Sequence, residues 1–183
     1  VQVHTDTDLT GVPMRMGDFA EAALSLAVDS PARNRLVAET WMRVARNEHN
    51  RKSTIVFALN VQHCLNLAAE FAKLEAIRVA VITGTTIDSV RKEILEEFAA
   101  GRIQVLVNCA VLTEGTDLPR TDCVLLTRPT CNPNLYVQMV GRGLRRFPGS
   151  GDAPAKEYCL VLDFVDRYRS PRSRSLVTFP VLE

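Results

Sequence analysis

No uninterrupted apolar stretch in this 183-residue sequence approaches the ~18 residues that a membrane-spanning helix needs. Charge of one sign is scarce too. The 22 Lys and Arg against 21 Asp and Glu leave a formal net charge of +1, so the total neither supports nor excludes a polyanionic partner, which a local basic stripe could serve. The five cysteines (Cys64, Cys109, Cys123, Cys131 and Cys159) are odd in number and lack C-x-x-C spacing. That argues against a disulfide frame or zinc site and for buried reduced thiols in an intracellular protein. His4, His49 and His63 have no metal-ligand spacing among them, so surface or packing roles are expected. Internal repeats are lacking. No signal-peptide pattern occurs, and a chain opening at Val1 reads as an excised piece of something longer.

What is present is ordinary in bulk. Hydrophobic residues at 46% and charged residues at 23% match a soluble globular domain. A chain of this length can bury roughly 70% of its unfolded surface, so one core is expected.

Residues 1–17 carry Gly, Pro, Thr and Asp without periodicity, and a short helix is expected at about Asp18–Val28. Ser30 then reads as a cap and Pro31 as the first position of a helix running to about Asn47, with Leu36, Val37, Thr40, Trp41 and Val44 on one side. The polar run Asn47–Ser53 reads as a linker. From Thr54 the chain alternates short apolar runs with helical patterns: strand Thr54–Leu59, helix Val61–Glu75, strand Arg78–Thr83, helix Ser89–Ala100 and strand Gln104–Asn108. Strand Cys123–Thr127, helix Asn134–Arg146 and strand Tyr158–Phe164 follow. This rhythm, with nearly continuous apolar strands, predicts a mainly parallel sheet with helices on both faces. Ligands of such sheets gather at the carboxyl ends of the strands, which directs attention to the loops after Leu59, Thr83, Asn108 and Thr127. Phe147–Lys156 reads as a flexible surface loop, and the basic stretch Arg167–Arg174 as a solvated or phosphate-touching tail.

Four segments carry chemistry. On a helix, Gln138, Arg142 and Arg145 fall at i, i+4 and i+7 and project from one face. Two guanidinium forks held at that spacing suit phosphate oxygens, although a solvated basic helix end would look the same. Gly141 and Gly143 are poor helix formers and make sense if a backbone or ligand approaches closely. In the segment from Val105 to Pro119, an apolar strand runs into a turn where Gly115 frees the backbone and Thr116 and Asp117 offer oxygens. Ser53–Val61 is a strand whose trailing loop and helix start, at Asn60 and Val61, could receive a phosphate on free N–H groups. Thr83 and Gly84 put a hydroxyl and an unhindered backbone at a strand end. Each of the last two alone reads as strand punctuation.

Together and in this order, the segments resemble motifs IV, IVa, V and VI of superfamily 2 helicases over about Thr54–Phe164. A closer likeness, including Thr7–Val12 and Gly17–Phe19, is to fungal helicases of the DEAD/H type, with a mitochondrial branch that remodels DNA. The resemblance implies a RecA-like C-terminal motor lobe at 53–166. Residues 1–52 would join it to a first lobe lying outside this sequence, and 167–183 would be a basic tail. It further implies Arg142 and Arg145 as arginine fingers, Gln138, Gly115 and Asp117 near the nucleotide, and Asn60, Val61, Thr83, Gly84 and Thr113 along a nucleic-acid backbone. The cofactor implied is ATP with Mg²⁺, bound mainly by the first lobe. DNA is the favoured partner and RNA the alternative, because Gln138 stands where RNA-directed DEAD-box proteins usually have a His-Arg pair. Mitochondrial or nuclear residence is implied with it. No G-x-x-x-x-G-K-[ST] phosphate loop occurs, so this stretch by itself is not expected to hydrolyse ATP. A restriction-type translocase lobe and a non-catalytic scaffold lobe are the competing readings.

Overall fold

The computed structural model describes residues 1–110, 112, 118–150, 154–169 and 175–178. Its centre is a six-stranded, all-parallel sheet, and a small antiparallel ribbon lies near the start of the chain. In chain order the elements are β1 (Gln2–Asp8), β2 (Met14–Arg15), β3 (Asp18–Phe19), α1 (Glu21–Val28), α2 (Pro31–Thr40) and a wide-turned π-helix at Trp41–Glu48. They continue with β4 (Thr54–Phe57), α3 (Val61–Phe71), β5 (Val79–Ile82), α4 (Asp88–Ala99), β6 (Val105–Asn108), β7 (Cys123–Leu126), α5 (Pro133–Gly141) and β8 (Leu160–Arg167). The large sheet runs β1-β8-β7-β4-β6-β5. This is the parallel, helix-covered sheet expected from the alternation of apolar strands and helices, and the RecA-like arrangement that the family resemblance implies.

Central strands bury both faces, which is why they read as unbroken apolar runs. Successive residues of β4 serve opposite layers. Val56 joins Trp41, Leu67, Phe71, Val107 and Leu125 under α2, the π-helix and α3, whereas Ile55 and Phe57 join Phe98, Leu106, Met139 and Val140 under α4 and α5. Trp41 lies edge-on to Phe71 with ring centroids 5.5 Å apart and donates its indole N–H to Thr54 Oγ1 at 2.8 Å. A third, smaller cluster of Leu9, Phe19, Leu24, Val28 and Leu59 closes the carboxyl end of β4 beneath α1.

Several boundaries differ from the sequence expectations for identifiable reasons. The stretch read as aperiodic contains β1, whose residues are mostly exposed; only Thr5 is buried. An edge strand of this kind is defined by its neighbour's ladder and not by an apolar pattern. Pairing with β1 also carries β8 on to Arg167, past the expected end at Phe164. Asp18 and Phe19 form a ribbon strand, so the first helix starts at Glu21. Ser30 caps α2 by accepting from the Arg33 N–H, as expected, but the helix widens at Trp41 and Leu36 faces solvent. Within the expected loop, Lys156 N–H reaches the Phe147 carbonyl at 2.9 Å; positions 151–153 lie outside the described residues. Of the expected basic tail, residues 170–174 lie outside them too, and Val177 N–H bonds the Thr130 carbonyl at 2.9 Å. The five cysteines are free thiols.

Candidate nucleotide and nucleic-acid interface

Because all six strands are parallel, the loops that follow β4, β5, β6 and β7 gather along one edge of the sheet. The strand order places β6 between β4 and β5. The end of β6 at Asn108 therefore lies between Asn60 on one side and Thr83 and Gly84 on the other.

After β4, Asn60 is spent as the cap of α3. Its Oδ1 accepts from His63 N–H at 2.9 Å, and its Nδ2 donates to Ser25 Oγ at 3.0 Å. Val61, the first residue of α3, is exposed. After β5, Thr83 is buried in a tight turn: Thr86 Oγ1 accepts from its N–H at 2.9 Å, Thr85 Oγ1 lies 3.0 Å from its hydroxyl, and Arg91 donates to its carbonyl at 3.3 Å. Gly84 beside it has open space where a side chain would stand. After β6, Asn108 anchors the loop. Its Nδ2 donates to the Val56 carbonyl at 3.0 Å and its Oδ1 accepts from Leu112 N–H at 3.3 Å. Thr113, Gly115 and Asp117 lie in that loop, outside the described residues. At its start the Cys109 thiol lies beside the buried Cys64 thiol, and their interaction, with burial, pushes Cys64 up and holds Cys109 down.

Helix α5 follows β7. Asn132 caps it, accepting from the N–H groups of Asn134 and Leu135 at 3.0 and 3.3 Å, and Pro133 fills its first position. The helix was expected to reach Arg146; it ends at Gly141. Beyond it, Gly143 and Leu144 N–H groups bond back to Val140 and Gly141 at 2.9 and 3.2 Å, a tighter three-residue turn. Gln138 and Arg142 thus keep their i, i+4 relation, whereas Arg145 lies past the helix end and leaves the shared stripe. Gln138 is exposed, Arg142 is buried at 8% exposure, and Arg145 is half-buried; both arginines interact with other groups of the chain.

The physical reason for the early end is Gly143. A Cβ there would stand 2.3 Å from Cys159 Sγ and 2.9 Å from Val124 Cγ2, so the backbone is pressed against β7 and β8 in a way only glycine permits. Gly141 meets nothing within 4 Å.

The residues that hold this edge together come largely from the first fifty positions and were not singled out from sequence. Arg33 of α2 is buried beside Asp166 of β8, with Nε to Oδ1 at 3.0 Å and Nη2 to Oδ2 at 2.9 Å. Its Nη1 donates to the Thr127 carbonyl at 3.0 Å, and Thr5 of β1 donates to the same carboxylate. Thr127 in turn donates to the Phe57 carbonyl at 2.8 Å. Asp18 accepts from the Thr130 hydroxyl at 2.5 Å and the Cys131 N–H at 2.9 Å. The loop leading into α5 is therefore held from both sides by Arg33 and Asp18. Tyr136 of α5 donates to Asp163 of β8 at 3.0 Å, and burial, reinforced by that carboxylate, pushes its phenol upward. A second buried relay starts at His63: Nδ1 accepts from Leu59 N–H at 3.3 Å and Nε2 donates to Asn34 Oδ1 at 3.1 Å. Asn34 and Asn66 both donate to Asp29, at 2.7 and 2.9 Å. Burial first, then the nearby Arg33 charge, lower His63 to about 4. His63 is a packing residue, as its sequence position suggested.

The helicase conserved C-terminal domain family matches residues 34–146. The chain belongs to this family. Among curated relatives it is 44% identical over 133 residues to irc3 of Schizosaccharomyces pombe, whose name describes a mitochondrial ATP-dependent helicase; the match covers 73% of this chain and 20% of that protein. It is 34% identical over 163 residues to IRC3 of Saccharomyces cerevisiae, covering 89% of this chain and 22% of the relative. The chain thus spans about a fifth of the length of either relative. Dbp5 of Saccharomyces cerevisiae, solved bound to RNA and ADP BeF3, superposes with a TM-score of 0.58 at 22% identity over 76% of this chain and 34% of that one, and this shows the shared fold. Among the described residues no group of three or more His, Cys, Asp and Glu side chains is placed to hold a metal ion, and no helix is long and apolar enough to cross a membrane.

Proposed function

We propose that this chain is the second motor lobe of an ATP-dependent helicase or translocase that acts on DNA in preference to RNA. In this reading residues 1–52 lead from a first lobe, 53–166 form the motor fold and 167–183 are a basic tail. ATP with its Mg²⁺ sits mainly on the first lobe, and Arg142 and Arg145 complete the site when the lobes close. Gln138, Gly115 and Asp117 face the nucleotide. Asn60, Val61, Thr83, Gly84 and Thr113 follow the strand backbone, and such contacts carry no base information, so binding is independent of sequence and sensitive to salt. The name of the Schizosaccharomyces pombe relative supports a mitochondrial setting.

The observation that carries this reading is the family match over 34–146 on a parallel sheet whose carboxyl edge carries the Asn60 and Thr83 turns and the start of the loop after β6. Arg142 is already largely desolvated, so it loses less freedom on meeting a phosphate than a solvated arginine would. An arginine finger contributes about 10³ to 10⁵ in rate. In the full-length protein, Arg142→Ala should lower DNA-stimulated ATP hydrolysis by a factor in that range while DNA binding persists. Near-normal stimulated hydrolysis would sink the finger assignment, and stronger stimulation by RNA than by DNA would overturn the substrate preference.

A further inference from the structure

The edge of the sheet opposite the candidate interface holds a recess of about 320 Å³. Its walls are the residues that enter β4, β7 and β8, three strands adjacent in the sheet: Ser53 precedes Thr54, Asp122 precedes Cys123 and Tyr158 stands two before Leu160. The motor reading assigns nothing to this edge.

The charge of the recess is lopsided. Arg51, Lys52, Arg120 and Lys156 face two carboxylates, Asp122 and Glu157, in a chain whose charges otherwise nearly cancel. The Asp122 carboxylate is turned back onto its own wall, accepting from the N–H groups of Lys52 and Ser53 at 3.0 and 2.9 Å. Lys156 donates to the Thr121 and Gly143 carbonyls at 2.9 and 3.0 Å, neutral acceptors, and no carboxylate pairs with it directly among the described residues. Arg51 lies over the Tyr158 ring at 4.0 Å and donates to the Tyr158 carbonyl, and Arg120 donates to the Ala99 carbonyl, so both guanidiniums are held in place by neutral groups. His49 adds a ring nitrogen, 3.3 Å from the Tyr158 hydroxyl.

Two donors in this wall lack acceptors. The hydroxyl of Ser53, a residue 4% exposed, and Nε of Arg51 are buried without a hydrogen-bond partner among the described residues. Buried donors are nearly always satisfied, and an orphan beside unbalanced cations calls for an acceptor-rich anion. We propose that the recess binds a phosphate group, held by Lys52, Arg51 and Arg120 with the Ser53 hydroxyl in the wall behind them, as a site separate from the nucleotide interface. The phosphate comes either from a free phosphorylated compound or from a nucleic-acid backbone passing this edge.

Inorganic pyrophosphate titrated into the isotopically labelled 183-residue chain, followed by amide NMR, tests this. Saturable shifts at Lys52, Ser53 and Asp122 are expected. Lys52→Gln, at an exposed position, together with Arg120→Gln, at a half-buried one, should weaken them about tenfold or more, since one charge-assisted hydrogen bond to the anion is worth roughly a factor of ten in affinity. Single-stranded and duplex DNA form the second arm. Shifts of the same amides by DNA, abolished in the double variant, assign the phosphate to a nucleic-acid backbone; shifts by pyrophosphate alone assign it to a free compound. If millimolar pyrophosphate leaves these wild-type amides unmoved, or the variant binds as tightly as wild type, the proposal is overturned, and the wild-type titration decides even if the variant folds poorly.

Discussion

Replacing Arg33 with Met should destabilise the fold by about 3–5 kcal/mol, because it strips a buried carboxylate of its cation. The native Arg33 makes three well-formed bonds: two at 3.0 and 2.9 Å to Asp166 and one at 3.0 Å to the Thr127 carbonyl, with both charged side chains nearly inaccessible. After the change Asp166 retains only the Thr5 hydroxyl among these partners, and the Thr127 carbonyl loses its donor. Domains of this kind are stable by about 5–15 kcal/mol, so the loss is a large fraction of the whole. Converting both members, Arg33→Met with Asp166→Leu, removes the stranded charge. What remains unmet is the Thr127 carbonyl and the Thr5 hydroxyl, about 1 kcal/mol or somewhat more apiece. The double variant should therefore be more stable than Arg33→Met alone. Urea unfolding at constant slope measures all three proteins. A loss under about 1 kcal/mol for Arg33→Met, or a double variant less stable than the single one, would refute the view that this pair clamps β1, α2 and β8.

The other stability predictions follow the same logic. His63 is held near 4 in the folded chain against an ordinary 6.5. The unfolded state therefore binds the proton first, so stability is full above about pH 6.5 and falls as the pH drops toward 4. The full effect is roughly 3 kcal/mol. Urea midpoints should decline from about pH 7 to about pH 5, a span that brackets the ordinary histidine value, and His63→Gln should flatten that decline; an equal slope in the variant would contradict the assignment. Gly143→Ala should cost about 1–3 kcal/mol by overpacking against Cys159 and Val124, whereas Gly141→Ala, in open space at the helix end, should be neutral or stabilising by up to about 1 kcal/mol. Thermal melts of the two variants separate them, and equal melting temperatures would show that the close approach at Gly143 carries no weight.

Much of the parallel-sheet fold was legible because the signals are local. β4, β6 and β7 are short apolar runs buried on both faces and β5 is a half-buried one, α2 starts at a Ser-Pro cap, and the segments around Asn60, Thr83, Asn108 and Arg142 stand in a recognisable order. Those features depend on side-chain type and spacing along a few residues, which a sequence displays directly. Pairings between distant residues leave no such trace. β1 became a strand because β8 offers it a ladder, although its own residues are polar and alternate weakly. Arg33 reads in sequence as one more helical arginine, and only the fold brings it to Asp166, 133 positions away, where burial turns it into a clamp on the loop before α5. The helix carrying Gln138 and Arg142 was visible from its pattern. Its end was not, because Gly141–Gly143 stops where the backbone meets Cys159 and Val124, and that collision exists only once β7 and β8 lie side by side. Residue type and spacing alone mark β4 to β8 and the helices between them, and offer candidates for contact with phosphate. Packing decides which of those side chains share a stripe, which are spent as caps, and what holds the edge on which they stand, because each of these depends on neighbours that only the closed sheet brings together.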